Sequence, residues 1–221
     1  MTMAYLSGTA TYLQSVSGNE NEKMKHTSLD NIIMNLKKAG IEFDKGLSEK
    51  EINEIEKMFQ FQFPPDLKAF YQKEFPISDG FVNWRIALNS KEESSKIRDR
   101  LNWPWEGMVF DIENNSFWVK GWGKIPESLD EKIQIARKHF ETYPKLVPIY
   151  SHRYIPEYPK RIGNPIFSVY QMDIIYYGSN LESYFANEFG FNKTGEYELE
   201  EYPKIKVDFW SSIAEDENLY N

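Results

Sequence analysis

Cysteine is missing from the 221 residues of this chain, and its absence removes several kinds of chemistry. Without a thiol the protein can form no disulfide bond, no thiolate nucleophile and no cysteine-ligated zinc site. A chain without cysteine also fits a reducing compartment.

Long apolar runs are missing as well. No stretch reaches the roughly 18 to 20 apolar residues that a membrane-spanning helix needs. The first twenty residues lack the basic start and continuous apolar core of a secretory signal. We therefore expect a cytoplasmic protein that has no membrane segment.

Histidine is scarce, and the common cofactor motifs do not occur. The three histidines, His26, His139 and His152, are too far apart in sequence to suggest a metal site. The sequence has no P-loop, no G-x-G-x-x-G fingerprint and no G-x-S-x-G elbow, so we expect no cofactor. A hydrolase that uses His152 with Ser168 and Asp173 remains an alternative, because a triad depends on geometry that a sequence does not give.

The charge balance is acidic, with 34 carboxylates against 26 basic residues and a net charge of -8. Nucleic acid is an unfavourable ligand for such a chain, because its phosphates are repelled. A basic protein partner fits the charge better. The alternative is that the negative surface only keeps the protein soluble.

Length and composition indicate one domain. A chain of 221 residues with 41% hydrophobic residues can bury a core, and no segment resembles an interdomain linker. Residues 1–27 are polar and aperiodic, so we expect a disordered tail or a non-native leader, with Met24 as a credible start. Residues 28–221 form the expected domain, and its oligomeric state is not predicted.

Capping signals predict most of the helices. Ser48 and Glu51 have capping-box spacing, and Pro65 suits the first turn of the next helix. The other predicted helices are residues 28–40, a helix from Ser90 that ends before Pro104, a helix from Ser128 to about 140, and residues 179–190.

Alternating and apolar runs predict the strands. We expect strands at residues 80–86, 146–150, 166–170 and 174–177, and a hairpin formed by residues 108–112 and 117–119. Helices and strands do not alternate regularly, which indicates an α+β fold.

Two segments together resemble the SUKH superfamily, which includes fungal cell-wall-synthesis regulators and bacterial toxin-immunity proteins. The first runs from Gly46-Leu47-Ser48 through Phe63-Pro64-Pro65-Asp66-Leu67 to Ala69-Phe70-Tyr71. The second comprises Pro165-Ile166-Phe167-Ser168-Val169 and Asp173-Ile174-Ile175-Tyr176-Tyr177-Gly178. The similarity covers roughly residues 47–189, and residues 72–76 and 103–122 depart from it.

The resemblance implies a single α+β domain with a mixed, mainly antiparallel sheet and helices packed against one side. It also implies an acidic or cleft-like binding surface, which bacterial members use to block a cognate toxin. It carries over no catalytic residue.

Exposed aromatic and loop residues are candidate partner contacts. Trp103, Trp105 and Trp122 lie near proline and glycine, in what we predict to be loops, whereas Trp84 and Trp118 follow strand patterns and belong to the core. His152 and Arg153 follow a strand and precede Pro156, so we place them in a loop that can carry function. The alternative is that these loop side chains only form hydrogen bonds with nearby backbone carbonyls.

The C-terminal region holds a concentration of acids. Glu196, Glu198, Glu200 and Glu201 lie in a segment whose alternation puts carboxylates on one face of an extended chain. This surface would attract a basic toxin domain. Alternatively, it is an edge strand whose charges discourage aggregation.

Three functional hypotheses follow. The first is a non-catalytic, immunity-type protein that neutralises a toxin by binding it. The second is a regulatory scaffold of the cell-wall-synthesis kind, which binds several partners weakly. The third is the hydrolase that uses His152.

Overall fold

The computed structural model describes residues 29–191, 203 and 205–215, and the fold is built from short helices and one long one. A first helix, α1, covers residues 29–38. The following helices are α2 (Glu49–Phe59), α3 (Pro65–Lys73), α4 (Trp84–Ala87), α5 (Lys91–Asn114), α6 (Leu129–Phe140), α7 (Leu181–Glu188) and α8 (Trp210–Ala214).

The described strands form two antiparallel sheets. A small sheet pairs β1 (Phe43–Lys45) with β2 (Glu74–Pro76). The main sheet has the order β3 (Leu146–Tyr150), β4 (Arg153–Pro156), β5 (Ile166–Tyr170) and β6 (Asp173–Gly178), with each strand next to its neighbour in sequence. The predicted α+β class with an antiparallel sheet is confirmed, and β3, β5 and β6 lie where the sequence indicates them.

Helices cover both faces of the main sheet, whereas the resemblance implies one. Val147 and Ile155 join a core with α1, α2, α3, α4 and α7. Their neighbours Leu146 and Tyr154 point the other way, into a second core with α5, α6 and α8. Successive residues of a strand face opposite sides, so a strand buried on both sides reads as a continuous apolar run, as β3 does.

Several local predictions need correction. Residues 80–86 are not a strand, because Trp84 begins the short helix α4, although its side chain is buried as expected. The capping box at Ser48 and Glu51 is confirmed. Ser128 makes no side-chain capping bond, and the box expected at Ser179 is formed instead by Asn180 with Ser183.

Helix α5 continues through Pro104, where the sequence predicted its end. The prediction of a hairpin over residues 108–119 is therefore wrong, because residues 108–112 are helical. Proline lacks an N–H and leaves the carbonyl four residues earlier, that of Arg100, without its helical partner. The Tyr154 hydroxyl donates a hydrogen bond of 2.9 Å to this carbonyl. A side chain of β4 thus replaces the hydrogen bond that the proline removes. The local sequence around Pro104 does not reveal this partner.

We expect Tyr154→Phe to lower the free energy of unfolding by about 1 to 2 kcal/mol, because it leaves the Arg100 carbonyl without a donor. In a Pro104→Ala background the same change should cost less than about 0.5 kcal/mol, since residue 104 then supplies the missing N–H. Urea unfolding of the four proteins of this double-mutant cycle measures the difference. Equal costs in the two backgrounds would contradict the role given to Tyr154.

Candidate functional site

Helix α5 crosses the ends of both hairpins of the main sheet. At one point Arg100 donates hydrogen bonds to the carbonyls of Gly80 and Ser151, the latter in the turn between β3 and β4. One and a half to two turns further on, Gly107 lies against the backbone of Gln171 in the turn between β5 and β6, where a Cβ on Gly107 would come 2.6 Å from the Gln171 Cα. These contacts fix α5 across the end of the sheet at which both hairpin turns lie.

The carboxylate of Asp111 completes this junction. Asp111 is buried, and one of its oxygens accepts a hydrogen bond of 2.8 Å from the Met172 N–H. The Asn115 side-chain amide donates to the other oxygen at 2.5 Å. A buried carboxylate that accepts two hydrogen bonds holds its neighbours in place, since the buried Met172 N–H would be costly to leave without a partner.

Three exposed aromatic side chains lie near the point where α5 crosses the hairpin turn between β5 and β6. Trp103 and Phe110 precede and follow Gly107 by four and three residues, so all three lie along one side of α5. Trp103 is 42% exposed and Phe110 45%, and Tyr170, which precedes Gln171 in the hairpin turn, is 60% exposed. We call Trp103, Phe110 and Tyr170 the α5 ridge. Large aromatic side chains left in water beside a rigid helix are typical anchors of a protein interface.

Carboxylates accompany the ridge. Asp99, Glu106 and Glu113 are exposed and continue the same helical stripe, each three or four residues from Trp103 or Phe110. Asp173 is exposed and pairs with Tyr170 in the hairpin. Within the part of the chain that the structure describes, none of the four belongs to an ion pair. Their charge is therefore available to attract a basic surface.

The three candidate tryptophans have different environments. Trp103 and Trp105 lie in α5 and not in loops, and Trp103 alone is prominently exposed. Trp105 is half-buried against Phe140, with the Arg137 guanidinium 4.9 Å from its ring centroid. Trp122 is buried, and its indole N–H donates to the Tyr143 hydroxyl at 2.9 Å. Trp122 therefore contributes to the second core instead of to the surface.

His152 and Arg153, predicted together in a loop, are separated by their environments. His152 is exposed in the turn after β3, near the point where α5 crosses. Partial desolvation, and then the positive charge of Arg153, lower the pKa of His152. Arg153 begins β4 and is buried, where its Nε forms an ion pair of 2.9 Å with Glu188 and its Nη1 donates to the Ser168 hydroxyl.

The same contacts bear on the hydrolase hypothesis. The Ser168 hydroxyl accepts a hydrogen bond from Arg153, and the His152 Nδ1 lies 3.1 Å from the Ser151 hydroxyl. Among the described residues, no hydrogen bond joins His152 to Ser168 or to Asp173. A serine held by a guanidinium is not aligned with a general base.

The remaining candidates, Glu196, Glu198, Glu200 and Glu201, lie outside the described residues. In the described ranges, no group of histidine and acidic side chains has the arrangement of a metal site. The helices of the same ranges include none with the length and apolar character needed to cross a bilayer.

Comparison of the chain with protein-family models, curated protein sequences and solved structures returned no match. The resemblance to the SUKH superfamily accordingly stays a prediction.

Proposed function

We propose that this protein is a non-catalytic protein-binding module of the immunity type, which holds a basic partner, such as a toxin domain, against the α5 ridge. The observation that carries the proposal is the exposure of Trp103, Phe110 and Tyr170 beside the crossing of α5 over the hairpin turns. Aromatic side chains dominate the energy of many protein interfaces because they remove a large apolar area from water.

The charges around the ridge support a basic partner. Asp99, Glu106 and Glu113 lie on the same helical stripe as Trp103 and Phe110, Asp173 pairs with Tyr170 in the hairpin, and none of the four forms an ion pair within the described residues. Opposite charges at the rim of an interface mainly accelerate association, and the effect weakens as salt is added. The net charge of -8 on the whole chain acts in the same direction.

The fixed position of α5 supports tight binding. Arg100, Gly107 and Asp111 each hold the helix against a hairpin turn, so Trp103 and Phe110 are carried on a fixed helix and Tyr170 lies at the end of β5, next to one of these turns. A surface that is ordered before binding loses less conformational entropy when the complex forms. An inhibitor that must compete with a toxin's substrate benefits from this property.

Affinity purification with the full chain tests the proposal, using lysate and secreted fractions of the cells that express it. We expect one basic partner in equal stoichiometry. The purified pair should bind at least about 30-fold more weakly when Trp103 and Phe110 are both replaced by alanine, since each aromatic anchor contributes on the order of 1 to 2 kcal/mol. Calorimetry or surface plasmon resonance measures the change.

Met34→Ala with Ile162→Ala is the matched control, because both side chains are as exposed as the ridge aromatics but belong to α1 and to the loop before β5. This control should bind as the unmodified protein does. A third variant, with Glu196, Glu198 and Glu200 replaced by lysine, tests the acidic segment. Unchanged binding by the ridge variant, or the absence of any partner, would refute the proposal, and several weak partners would favour the regulatory scaffold.

A further inference from the structure

An open cavity of about 600 Å³ lies between the C-terminal end of α2, the middle of α5, α6 and the start of β3. Its volume falls within the range of about 300 to 1,000 Å³ that is usual for small-molecule sites. It opens on the side of α5 that carries Arg98, Leu101 and Asn102, and Asp99, which flanks the ridge, also lines it. The cavity therefore adjoins the proposed protein-binding surface but contains none of the three ridge aromatics.

Two cations are held next to each other at one end of this cavity. Arg98 donates a hydrogen bond to the Met58 carbonyl, and Lys145 donates to the Gln60 carbonyl. These carbonyls are two residues apart at the end of α2, where the helix dipole favours positive charge. The Arg98 guanidinium also lies 5.2 Å from the ring centroid of Phe59. Each cation donates one hydrogen bond to the helix end, and its other N–H groups remain for a ligand.

The charge of the cavity differs from that of the protein. Arg98, Arg137 and Lys145 line it with only two carboxylates, Asp99 and Glu141, although the whole chain carries -8. Arg137 forms an ion pair of 2.8 Å with Glu141, so one of the two carboxylates is already neutralised. A local excess of positive charge in an acidic protein favours an anion.

Apolar side chains form the rest of the lining. Leu101 and Pro104 contribute from α5, and Phe140 contributes from α6. An apolar wall that contains an aromatic ring favours a flat apolar body, which can lie against it with little loss of freedom. The lining thus combines an anion-binding end with an apolar wall.

We infer that the cavity is a binding site for a small organic anion that carries a planar ring, with the anionic group between Arg98 and Lys145 and the ring against the apolar wall. A phosphate and a carboxylate both satisfy the charged end, because arginine and lysine donate to either. The shared chemistry of the ligand is therefore a ring joined to one anionic group.

Titration calorimetry of the full chain with four probes tests this inference. Adenosine monophosphate and indole-3-acetate carry a ring and an anionic group, whereas adenosine and indole are their neutral counterparts. We expect dissociation constants below about 1 mM for at least one anionic probe and at least tenfold weaker binding of its neutral counterpart. The preferred anion then distinguishes a phosphate ligand from a carboxylate ligand.

Variants locate the binding. Arg98→Met and Lys145→Met should each weaken binding of the anionic probe at least tenfold. Lys138 is an exposed cation of α6 that does not line the cavity, so Lys138→Met should leave the affinity unchanged. Lys145→Arg keeps a cation at the helix end and should retain binding, which separates a lost contact from a lost fold. Equal binding of charged and neutral probes, no binding at 1 mM, or full binding by Arg98→Met would overturn the inference.

Discussion

Replacing Arg85 by methionine is expected to lower the free energy of unfolding by about 2 to 4 kcal/mol, because it removes the shared partner of two carboxylates and two carbonyls from a partly buried charge network. The Arg85 Nε forms an ion pair of 2.7 Å with Glu51, and Nη1 one of 2.8 Å with Asp44. The remaining nitrogen donates to the carbonyls of Lys45 and Gly46, at 2.9 and 3.1 Å. One side chain of α4 therefore joins β1, the following turn and the start of α2.

Matched variants separate charge from geometry in this network. Arg85→Lys keeps the charge but cannot reach two carboxylates and two carbonyls at once, so it should recover less than half of the loss. Arg161→Met removes an exposed arginine that has no ion pair within the described residues, and it should cost under about 0.5 kcal/mol. Urea unfolding measures all three. Similar stabilities of Arg85→Met and Arg161→Met would show that the network contributes little.

The network also predicts an acid-sensitive part of the stability. The Arg85 guanidinium, with further hydrogen bonds from Ser48, lowers the pKa of Glu51 from 4.5 to about 2. A carboxyl group whose pKa is lower in the folded state stabilises the fold above its unfolded pKa. That contribution, on the order of 2 to 3 kcal/mol, is lost as the pH falls from about 4.5 towards 2. In Arg85→Met the free energy of unfolding should fall much less over this pH range. Unfolding curves recorded at several pH values measure the difference.

Local signals predicted those elements whose ends are decided by neighbouring residues. The box of Ser48 and Glu51 begins α2, and Pro65 occupies the first turn of α3, because both act within one turn of helix. The strand run at residues 146–150 is apolar, as strands buried on both faces are, and in the run at 166–170 only Ser168 and the exposed Tyr170 depart from this pattern. Burial of these strands on both sides is also why helices cover both faces of the sheet.

Local sequence patterns gave wrong predictions where another side chain supplies or takes a hydrogen bond that the pattern does not show. Pro104 ordinarily ends a helix, but the Tyr154 hydroxyl, fifty residues later, takes over the missing hydrogen bond. Trp84 alternates with polar neighbours as in a strand, yet the Asn83 side chain accepts a hydrogen bond from Ile86 N–H and begins a short helix. Neither outcome can be read from periodicity alone.

The candidate site was predicted only in part, for the same reason. Trp103 was identified from its size and its neighbours, but Phe110 was assigned to a hairpin because α5 was expected to end before Pro104. With the helix continuous, the spacing of Trp103, Gly107 and Phe110 becomes a helical stripe. The exposure of Tyr170 depends on how the hairpin turn lies against α5, which requires the three-dimensional structure.

The backbone of α5 lies against the hairpin turn at Gly107, with no room for a Cβ, and Gly107→Ala is expected to lower the free energy of unfolding by about 3 kcal/mol. The added Cβ would lie 2.6 Å from the Gln171 Cα, so α5 and the hairpin turn must separate. Separation also weakens the bond between Asp111 and the Met172 N–H. These losses exceed the gain of about 1 kcal/mol that alanine brings to a helix interior.

Gly121→Ala is the matched control, since a Cβ at that position meets nothing within 4 Å. Its unfolding free energy should stay within about 0.5 kcal/mol of the parent value. If the ridge binds a partner as proposed, Gly107→Ala should also weaken the complex while the protein is still folded, because Trp103 and Phe110 move with the helix relative to Tyr170. Unchanged stability of Gly107→Ala would refute the tight junction. A loss of stability with unchanged affinity would place the partner elsewhere on the surface.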